Sequence, residues 1–154
     1  MKRTPSQSSR STRRPGFVRI IAGQWRSRRL PVLDQVMIRP TGDRIRETVF
    51  NWLSPILPGK YCLDAFAGSG ALGFEALSRG ARHVILVDRS STVVASLEKT
   101  AHILQTDDAV DIYCGIAPEQ LRCPAHPLDI VFLDPPYRED LLYPTCFYLE
   151  AHDY

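Results

Sequence analysis

The sequence predicts an α/β fold, in which a mostly parallel sheet with flanking helices follows a basic β-hairpin arm. Two observations support this prediction. Residues 61–80 join an apolar run to a glycine-rich break and then to a helix-favouring segment, and further apolar runs alternate with helical patterns up to residue 133. Alternating strands and helices need crossover connections, which place the strands parallel in one sheet.

Length and composition suit a single folded unit. The chain has 154 residues, of which 44% are hydrophobic. No apolar run reaches the roughly 20 residues that cross a bilayer, and no secretory segment follows Met1, so we expect a cytoplasmic protein without a membrane partner. The four cysteines show no CxxC pair and the four histidines lack ligand spacing, so we expect reduced thiols and no metal.

Charge is distributed unevenly along the chain. Residues 1–46 hold 12 Lys and Arg against two acids, a net charge of +10, whereas residues 47–154 hold 7 basic and 15 acidic residues, a net charge of −8. This asymmetry favours a polyanionic partner for the N-terminal third. A solvated tail that only keeps the protein soluble is the alternative.

We expect three regions. Residues 1–16 form a disordered basic tail, whose composition also resembles an organellar transit peptide. Residues 17–58 form a basic hairpin and a helix, and residues 59–154 form the core. In the hairpin, apolar stretches at 17–21 and 24–32 flank a predicted turn at Ala22-Gly23.

Arginines beside an aromatic residue make the hairpin a candidate RNA-binding element, because guanidinium groups pair with phosphates and both groups stack on bases. Trp25 is equally a candidate core residue. The candidate RNA-binding residues are Arg19, Trp25, Arg26, Arg28, Arg29 and Arg39.

A helix is predicted next, with Thr41 or Asp43 as its N-cap and Pro55 beyond its end. Its apolar stripe has spacings of three and four residues, so we expect this stripe to face the core. The residues of the stripe are Ile45, Val49, Trp52, Leu53 and Ile56.

The break at Ala67–Gly70 predicts a ligand site, because a strand, a glycine turn and a helix bring backbone N–H groups and a helix N-terminus up to a ligand. Gly68 and Gly70, with Asp88 later, satisfy the dinucleotide fingerprint. With Asp64 they equally fit the first motif of S-adenosylmethionine (SAM) methyltransferases. A glycine turn without a ligand is the plain alternative.

Later apolar runs supply the remaining strands. Residues 83–87 and 130–133 are almost entirely apolar, which is typical of strands buried on both faces, and a shorter strand is predicted at 110–114. Asp88 follows the first of these runs, at the edge where open α/β sheets bind ligands. Its carboxylate can accept both ribose hydroxyl protons, or it can be a surface acid in a turn.

Asp134-Pro135-Pro136-Tyr137 follows the last strand and favours the methyltransferase interpretation. The exocyclic amine of a base is a poor nucleophile, because its lone pair is conjugated with the ring. The Asp134 carboxylate and the Pro135 carbonyl can accept its two N–H groups and localise that lone pair, and the prolines stiffen the turn. Tyr137 offers a ring face to an extruded base, and such stacking contributes about 1–3 kcal/mol per base. A proline turn beside a buried tyrosine is the alternative.

Residues 17–150 resemble the bacterial 16S ribosomal RNA (guanine-N2)-methyltransferase family. The matching segments are VRIIAGQWRSRRLPV, RPTGDRIRETVFNWL, CLDAFAGSGALGFEALSRGA and DIVFLDPPY. Four blocks in the same order are more specific than either short motif. The resemblance implies a Rossmann-like class I SAM methyltransferase domain, preceded by a basic hairpin that contacts ribosomal RNA, with SAM as the cofactor.

The resemblance also implies the site residues. Asp64, Gly68 and Gly70 would line the methionine part of SAM, and Asp88 its ribose. The candidate cofactor residues are Asp64, Phe66, Ala67, Gly68, Gly70, Asp88, Arg89, Ile116 and Ala117. The candidate catalytic residues, which would hold the guanine, are Asp134, Pro135, Pro136 and Tyr137.

Two departures from the family pattern are visible. The family commonly has Asn or Asp after the third strand to contact the adenine amine, whereas this sequence reads Gly115-Ile116-Ala117, where a backbone carbonyl would substitute. The family also continues with three further strands beyond DPPY. We therefore expect a truncated product that lacks the last strands of its sheet and is prone to association through the strand at 130–133.

The expected partner is 16S ribosomal RNA or an assembling small-subunit particle, and we expect a monomer at full length. Three other functions remain open at this point: an adenine-N6 nucleic-acid methyltransferase, a non-catalytic RNA-binding remnant, and an NAD-dependent enzyme.

Overall fold

A computed structural model describes residues 16–33, 42–152 and 154. The predicted α/β architecture is confirmed, with a four-stranded parallel sheet, flanking helices and a two-stranded hairpin ahead of them. In chain order the elements are β1 (Gly16–Arg19), β2 (Arg29–Val32), α1 (Asp43–Leu53), β3 (Tyr61–Asp64), α2 (Ala71–Ser78), β4 (His83–Asp88), α3 (Ser91–Leu104), β5 (Val110–Cys114), β6 (Ile130–Phe132) and α4 (Leu142–Ala151).

The sheet has the strand order β5-β4-β3-β6, and all neighbouring strands are parallel. Leu63 in the centre of β3 lies between Ile85 of β4 and Val131 of β6. The chain runs outward from β3 through β4 to β5 and then returns to the other side of β3. This reversal of strand order creates a crevice at the carboxyl edge, which is where open sheets bind ligands.

Apolar side chains cover both faces of the sheet. On one face, Phe74 of α2 and Leu97 of α3 pack with Ile20 from the segment after β1 and Phe50 of α1. The Phe50 ring lies 5.5 Å from the Phe132 ring, so α1 packs beside β6. On the other face, Leu63 and Val87 pack with residues of α4 and of the connection after β5. The hairpin and α1 therefore share the core of the sheet.

The predicted apolar stripe of α1 was wrong at Ile45, Trp52 and Ile56, which are 60%, 75% and 55% exposed. Leu53 packs against the core as predicted and Val49 is half-buried, but the completely buried residues of the helix are Arg46 and Phe50. Gly42 is the N-cap and Asp43 the first helical residue, and Thr41 lies outside the described residues.

Arg46 takes a core position because one nitrogen of its guanidinium is hydrogen-bonded and two acids lie close to it, although its Nε and Nη1 are buried without a hydrogen-bond partner. Its Nη2 donates to the Asp43 carboxylate at 2.7 Å and to the Arg19 carbonyl at 2.9 Å. Its Nη1 lies 3.8 Å from the carboxylate of Glu75, which is also fully buried. A buried charge is tolerated when it is paired and hydrogen-bonded, so tertiary contacts override the apolar periodicity of the helix.

The predicted turn at Ala22-Gly23 was also wrong, because residues 20–28 form a longer connection between β1 and β2. Gly23 lies against α2 with φ of 84°, and a Cβ at this position would meet the Ser78 carbonyl oxygen at 1.8 Å. The next amide, Gln24 N–H, donates to the same carbonyl at 2.8 Å. The glycine therefore permits close contact with α2 and does not close a two-residue hairpin.

Among the described residues, no helix has the length and apolar character needed to span a membrane.

Replacing Phe50 with Ala tests which face of α1 is buried. We expect it to lower the free energy of unfolding by about 3–5 kcal/mol, because it empties a site in the core. Trp52→Ala, on the exposed face, is the matched control and should change this free energy by no more than about 0.5 kcal/mol. Urea unfolding measures both, and a larger loss for Trp52→Ala would contradict the observed orientation.

Candidate active site

The carboxyl edge of the sheet holds a cavity of about 440 Å³. Residues that follow β3, β4, β5 and β6 build its wall, so the four strands converge on one site. The predicted residues found in the wall are Asp64, Phe66, Ala67, Gly68, Asp88, Arg89, Ile116, Ala117, Asp134 and Pro136. A second cavity of the same volume lies at the opposite edge, beside Tyr61 and His83, and its wall contains none of the predicted residues.

The glycine turn between β3 and α2 forms one side of the cavity. Gly68 and Gly70 have φ of 52° and 75°, in the left-handed region that favours glycine. Gly70 itself is not part of the wall. A Cβ there would lie 2.5 Å from the Phe74 ring and 2.8 Å from Leu97, so no side chain fits. Gly70 therefore contributes the shape of the turn.

Carboxylates at the ends of two adjacent strands hold this turn. Asp88 accepts hydrogen bonds from Gly68 N–H through Oδ2 at 3.0 Å and from Ser90 N–H through Oδ1 at 2.9 Å. Asp64 Oδ2 accepts from Gly73 N–H at 3.2 Å. The turn is thus tied to both β3 and β4, and each Asp88 oxygen retains a lone pair for a ligand hydroxyl.

Asp64 is the most perturbed acid of the wall. Burial raises the pKa of its carboxyl to about 7, and the Gly73 and Phe66 N–H groups lower it by less. The nearby charges of Asp134 and Asp88 raise the pKa further. The second oxygen of Asp64, Oδ1, is buried and has no partner at hydrogen-bonding geometry. A cation in the cavity would favour the ionised form of this carboxylate.

The segment after β6 brings Asp134 and Pro136 to the same cavity. Asp134 is exposed on the wall, where a solvent-borne group can reach it. Pro135 is not part of the wall, and the Tyr137 side chain is fully exposed. The Tyr137 ring is not part of the cavity wall, so a base that stacks on it would do so at the protein surface.

The chain resembles proteins of a known family. A family model described as "Conserved hypothetical protein 95" matches residues 18–153. The chain belongs to this family.

Relatives of this Conserved hypothetical protein 95 member include two curated bacterial proteins. It is 46% identical over 129 residues to ribosomal RNA small subunit methyltransferase D of Haemophilus influenzae, covering 82% of this chain and 67% of that protein. It is 47% identical over 135 residues to the Escherichia coli protein of the same name, covering 88% of this chain and 68% of that protein. The predicted resemblance to ribosomal RNA methyltransferases is therefore confirmed.

Solved structures agree with this assignment. The structure of Escherichia coli yhhF has 43% sequence identity and a TM-score of 0.80, covering 90% of this chain and 75% of that one. A Haemophilus influenzae crystal structure has 40% identity and a TM-score of 0.72 over 90% of this chain and 76% of that one.

Sequence reasoning found Arg89 in this family member but missed its partner. Arg89 Nη1 donates to both carboxylate oxygens of Glu139, at 2.8 and 2.7 Å, and both residues belong to the cavity wall. This ion pair links the end of β4 to the loop after Asp134. Arg89 and Glu139 are fifty residues apart in the chain, so no local sequence pattern predicts that they pair.

Two polar residues follow the segment that we expected to contact an adenine. The Ile116 N–H donates to Oε1 of Gln120 at 2.9 Å, and Glu119 is a further residue of the wall.

Four of the predicted RNA-binding arginines are exposed, namely Arg19, Arg26, Arg28 and Arg29. The Arg29 guanidinium lies 4.2 Å from the centre of the Phe17 ring, which is also exposed. Trp25 is half-buried and packs against the core, so only part of its ring is available. Arg39 lies outside the described residues.

Other wall residues were not among the predicted cofactor and catalytic residues. Most of them are chain neighbours of those residues, whereas Val32 comes from an element that only folding brings to the edge of the sheet. They are Val32, Ala65, Ser69, Ala71, Leu72, Ser90, Val93, Gly115 and Leu141. In the described part of the chain, no group of three or more His, Cys, Asp or Glu residues is arranged to hold a metal ion.

Asp64 should make the stability of the ligand-free protein depend on pH. Its carboxyl has a pKa of about 3.9 in an unfolded chain and about 7 in the folded protein. Between these values the folded state keeps a proton that the unfolded state has lost. Asp64 therefore lowers the free energy of unfolding as the pH rises through this interval, by at most about 1.4 kcal/mol per pH unit.

Asp64→Asn has no carboxyl to titrate at this position, so comparing it with the wild type isolates the contribution of Asp64 to the pH dependence of stability. We expect the difference in unfolding free energy, wild type minus variant, to fall with rising pH in a series of urea unfolding curves. A difference that stays constant or grows with pH would contradict the raised pKa.

Proposed function

We propose that this chain transfers the methyl group of SAM to the exocyclic N2 amine of a guanine in small-subunit ribosomal RNA. The observation that carries the proposal is the convergence of Asp64, the Gly68 turn and Asp134 on one cavity. The relatives named ribosomal RNA small subunit methyltransferase D support the reaction and the class of substrate.

SAM fits the residues of this cavity. The buried, unpartnered Oδ1 of Asp64 suits the ammonium group of the methionine part, because a cation relieves the cost of burying that carboxylate. Apolar wall residues such as Phe66 and Ile116 suit the adenosine part, and a volume of about 440 Å³ is in the range of small-molecule sites. When bound, SAM supplies a methyl group that its sulfonium has already activated.

Asp134 would orient the target amine. Its carboxylate and the Pro135 carbonyl accept the two N–H groups, which localises the lone pair on the nitrogen. Once the nitrogen has gained a methyl group it carries an extra proton, which Asp134 accepts directly or through a water molecule. The remaining rate enhancement comes from positioning, since oriented reactants avoid the entropic cost of encounter.

The basic arm would supply the contact with RNA. Arg26, Arg28 and Arg29 are exposed in the segment around β2, and guanidinium groups pair with phosphates in two-point contacts. In this proposal residues 17–58 bind RNA while residues 59–154 hold the cofactor and the target base. The substrate is 16S ribosomal RNA, free or in an assembling particle, and the protein acts in the cytoplasm.

Asp134→Ala tests the chemical role. Without the carboxylate the amine is neither oriented nor deprotonated, so methyl transfer to ribosomal RNA should fall about 100-fold or more. The affinity for S-adenosylhomocysteine should be unchanged in calorimetry, because Asp134 does not hold the cofactor. Asp140→Ala, an exposed acid of the same loop outside the wall, is the matched control and should keep full activity.

Two results would refute parts of this proposal. Asp134→Ala with activity equal to the control would remove Asp134 from the chemistry. Mass analysis of digested product RNA identifies the methylated nucleoside, and N6-methyladenosine in place of N2-methylguanosine would assign the enzyme to adenine.

Removing charge from the arm tests the RNA contact. Each phosphate contact that is lost from a single-stranded segment should flatten the plot of log affinity against log salt by about 0.7. We expect the double variant Arg26→Ala, Arg28→Ala to show a shallower slope in filter binding with a ribosomal RNA fragment. Lys99→Ala, on the exposed side of α3, is the control, and an equal change in that variant would place the RNA contact elsewhere.

A further inference from the structure

A cluster of buried charges joins the basic arm to helix α2. The side chains of Glu75 and Arg46 are fully buried, with Glu75 Oε2 lying 3.8 Å from Arg46 Nη1. At the exposed end Asp43 pairs with Arg46 at 2.7 Å and with Arg19 at 3.7 Å, and Arg79 pairs with Glu75 at 2.7 Å. The fully buried pair of Glu75 and Arg46 has no net charge, which makes its burial tolerable.

The Glu75 carboxylate is bound to the backbone of the arm. Oε2 accepts a hydrogen bond from Ile21 N–H at 2.7 Å, and Oε1 accepts one from Ala22 N–H at 3.1 Å. Arg46 donates to the Arg19 carbonyl at 2.9 Å. Hydrogen bonds with a charged partner are about twice as strong as neutral ones, so the cluster holds both ends of the segment 19–22.

Ser78, three residues further along α2, holds the following part of the arm. Its Oγ accepts from Trp25 N–H at 3.0 Å and donates to the Ala22 carbonyl at 2.6 Å. The close contact of Gly23 with the Ser78 carbonyl lies between these two bonds. One face of α2 is therefore fastened to the arm over a full helical turn.

Helix α2 begins at the glycine turn of the cavity, and Val32 at the end of β2 is itself a wall residue. Three of the exposed arginines, Arg26, Arg28 and Arg29, lie in the chain between the Glu75 contacts at residues 21–22 and Val32. We propose that Glu75 is a positioning residue, which fixes the arginines of the arm relative to the cavity so that bound RNA presents its target base to Asp134. This inference rests on the proposed function, since it assigns the geometry of RNA binding to that site.

Glu75→Gln is the direct test. Glutamine keeps one acceptor oxygen but directs an NH₂ group at a backbone N–H. It also removes the counter-charge of Arg79 and leaves Arg46 with Asp43 alone. We expect the KM for ribosomal RNA to rise about tenfold, while kcat and the Kd for S-adenosylhomocysteine change less than about threefold. Ser91→Ala, an exposed position in α3, is the control and should change none of the three.

Ser78→Ala keeps the proposal testable if Glu75→Gln fails to fold. It removes the hydrogen bond to Trp25 N–H and leaves the charge cluster in place. Amide hydrogen exchange should become faster at Trp25 and its neighbours in the arm, with no change at Leu63 and Leu86 in the sheet. The RNA KM should rise in parallel, by a smaller factor than in Glu75→Gln.

The outcomes separate this inference from the proposed function. A wild-type protein that methylates no RNA would refute the proposed function, and the role of Glu75 with it. If the wild type methylates RNA but Glu75→Gln and Ser78→Ala leave the KM for RNA unchanged, only the positioning role of Glu75 is refuted. A loss confined to kcat or to cofactor affinity would also overturn it, because that pattern describes damage to the cavity.

Discussion

Two carboxylates hold the glycine turn, and the rest of the site depends on that restraint. Asp64 reaches from the end of β3 to Gly73, and Asp88 reaches from the end of β4 to Gly68. The turn therefore has a fixed position relative to the sheet, although its left-handed glycines alone would leave it flexible. The same two acids belong to the cavity wall, so one pair of side chains both holds the turn and lines the site.

Charge is divided between the wall and the arm. The wall contains Asp64, Asp88, Glu119, Asp134 and Glu139 against a single arginine, Arg89. Such a cavity attracts a sulfonium and repels phosphate, while the arm attracts phosphate. Under the proposed function, the RNA backbone stays on the arm and only a neutral base enters.

Sequence patterns predicted the elements whose structure depends on nearby residues. They failed where the structure depends on contacts with residues far away in the chain. The strands and the glycine turn could be predicted because a buried parallel strand needs an apolar run and the turn needs glycine. The buried face of α1 could not, because Arg46 is buried against partners outside the helix, the Arg19 carbonyl and the Glu75 carboxylate 29 residues further along the chain. The turn at Ala22-Gly23 failed for the same reason, since Ser78 determines that conformation. In the site, the glycine and Asp-Pro-Pro motifs predicted wall residues such as Gly68 and Asp134, whereas Val32 and Glu139 reach the wall only through tertiary structure.

The two tryptophans of the chain occupy contrasting environments, and this provides an optical readout of the arm. Trp25 is half-buried in the segment fastened to α2, whereas Trp52 is 75% exposed on α1. Release of the arm would shift the emission of Trp25 to longer wavelength, while the already water-exposed indole of Trp52 would give a nearly constant background. Intrinsic fluorescence therefore distinguishes a docked arm from a detached one without any added label.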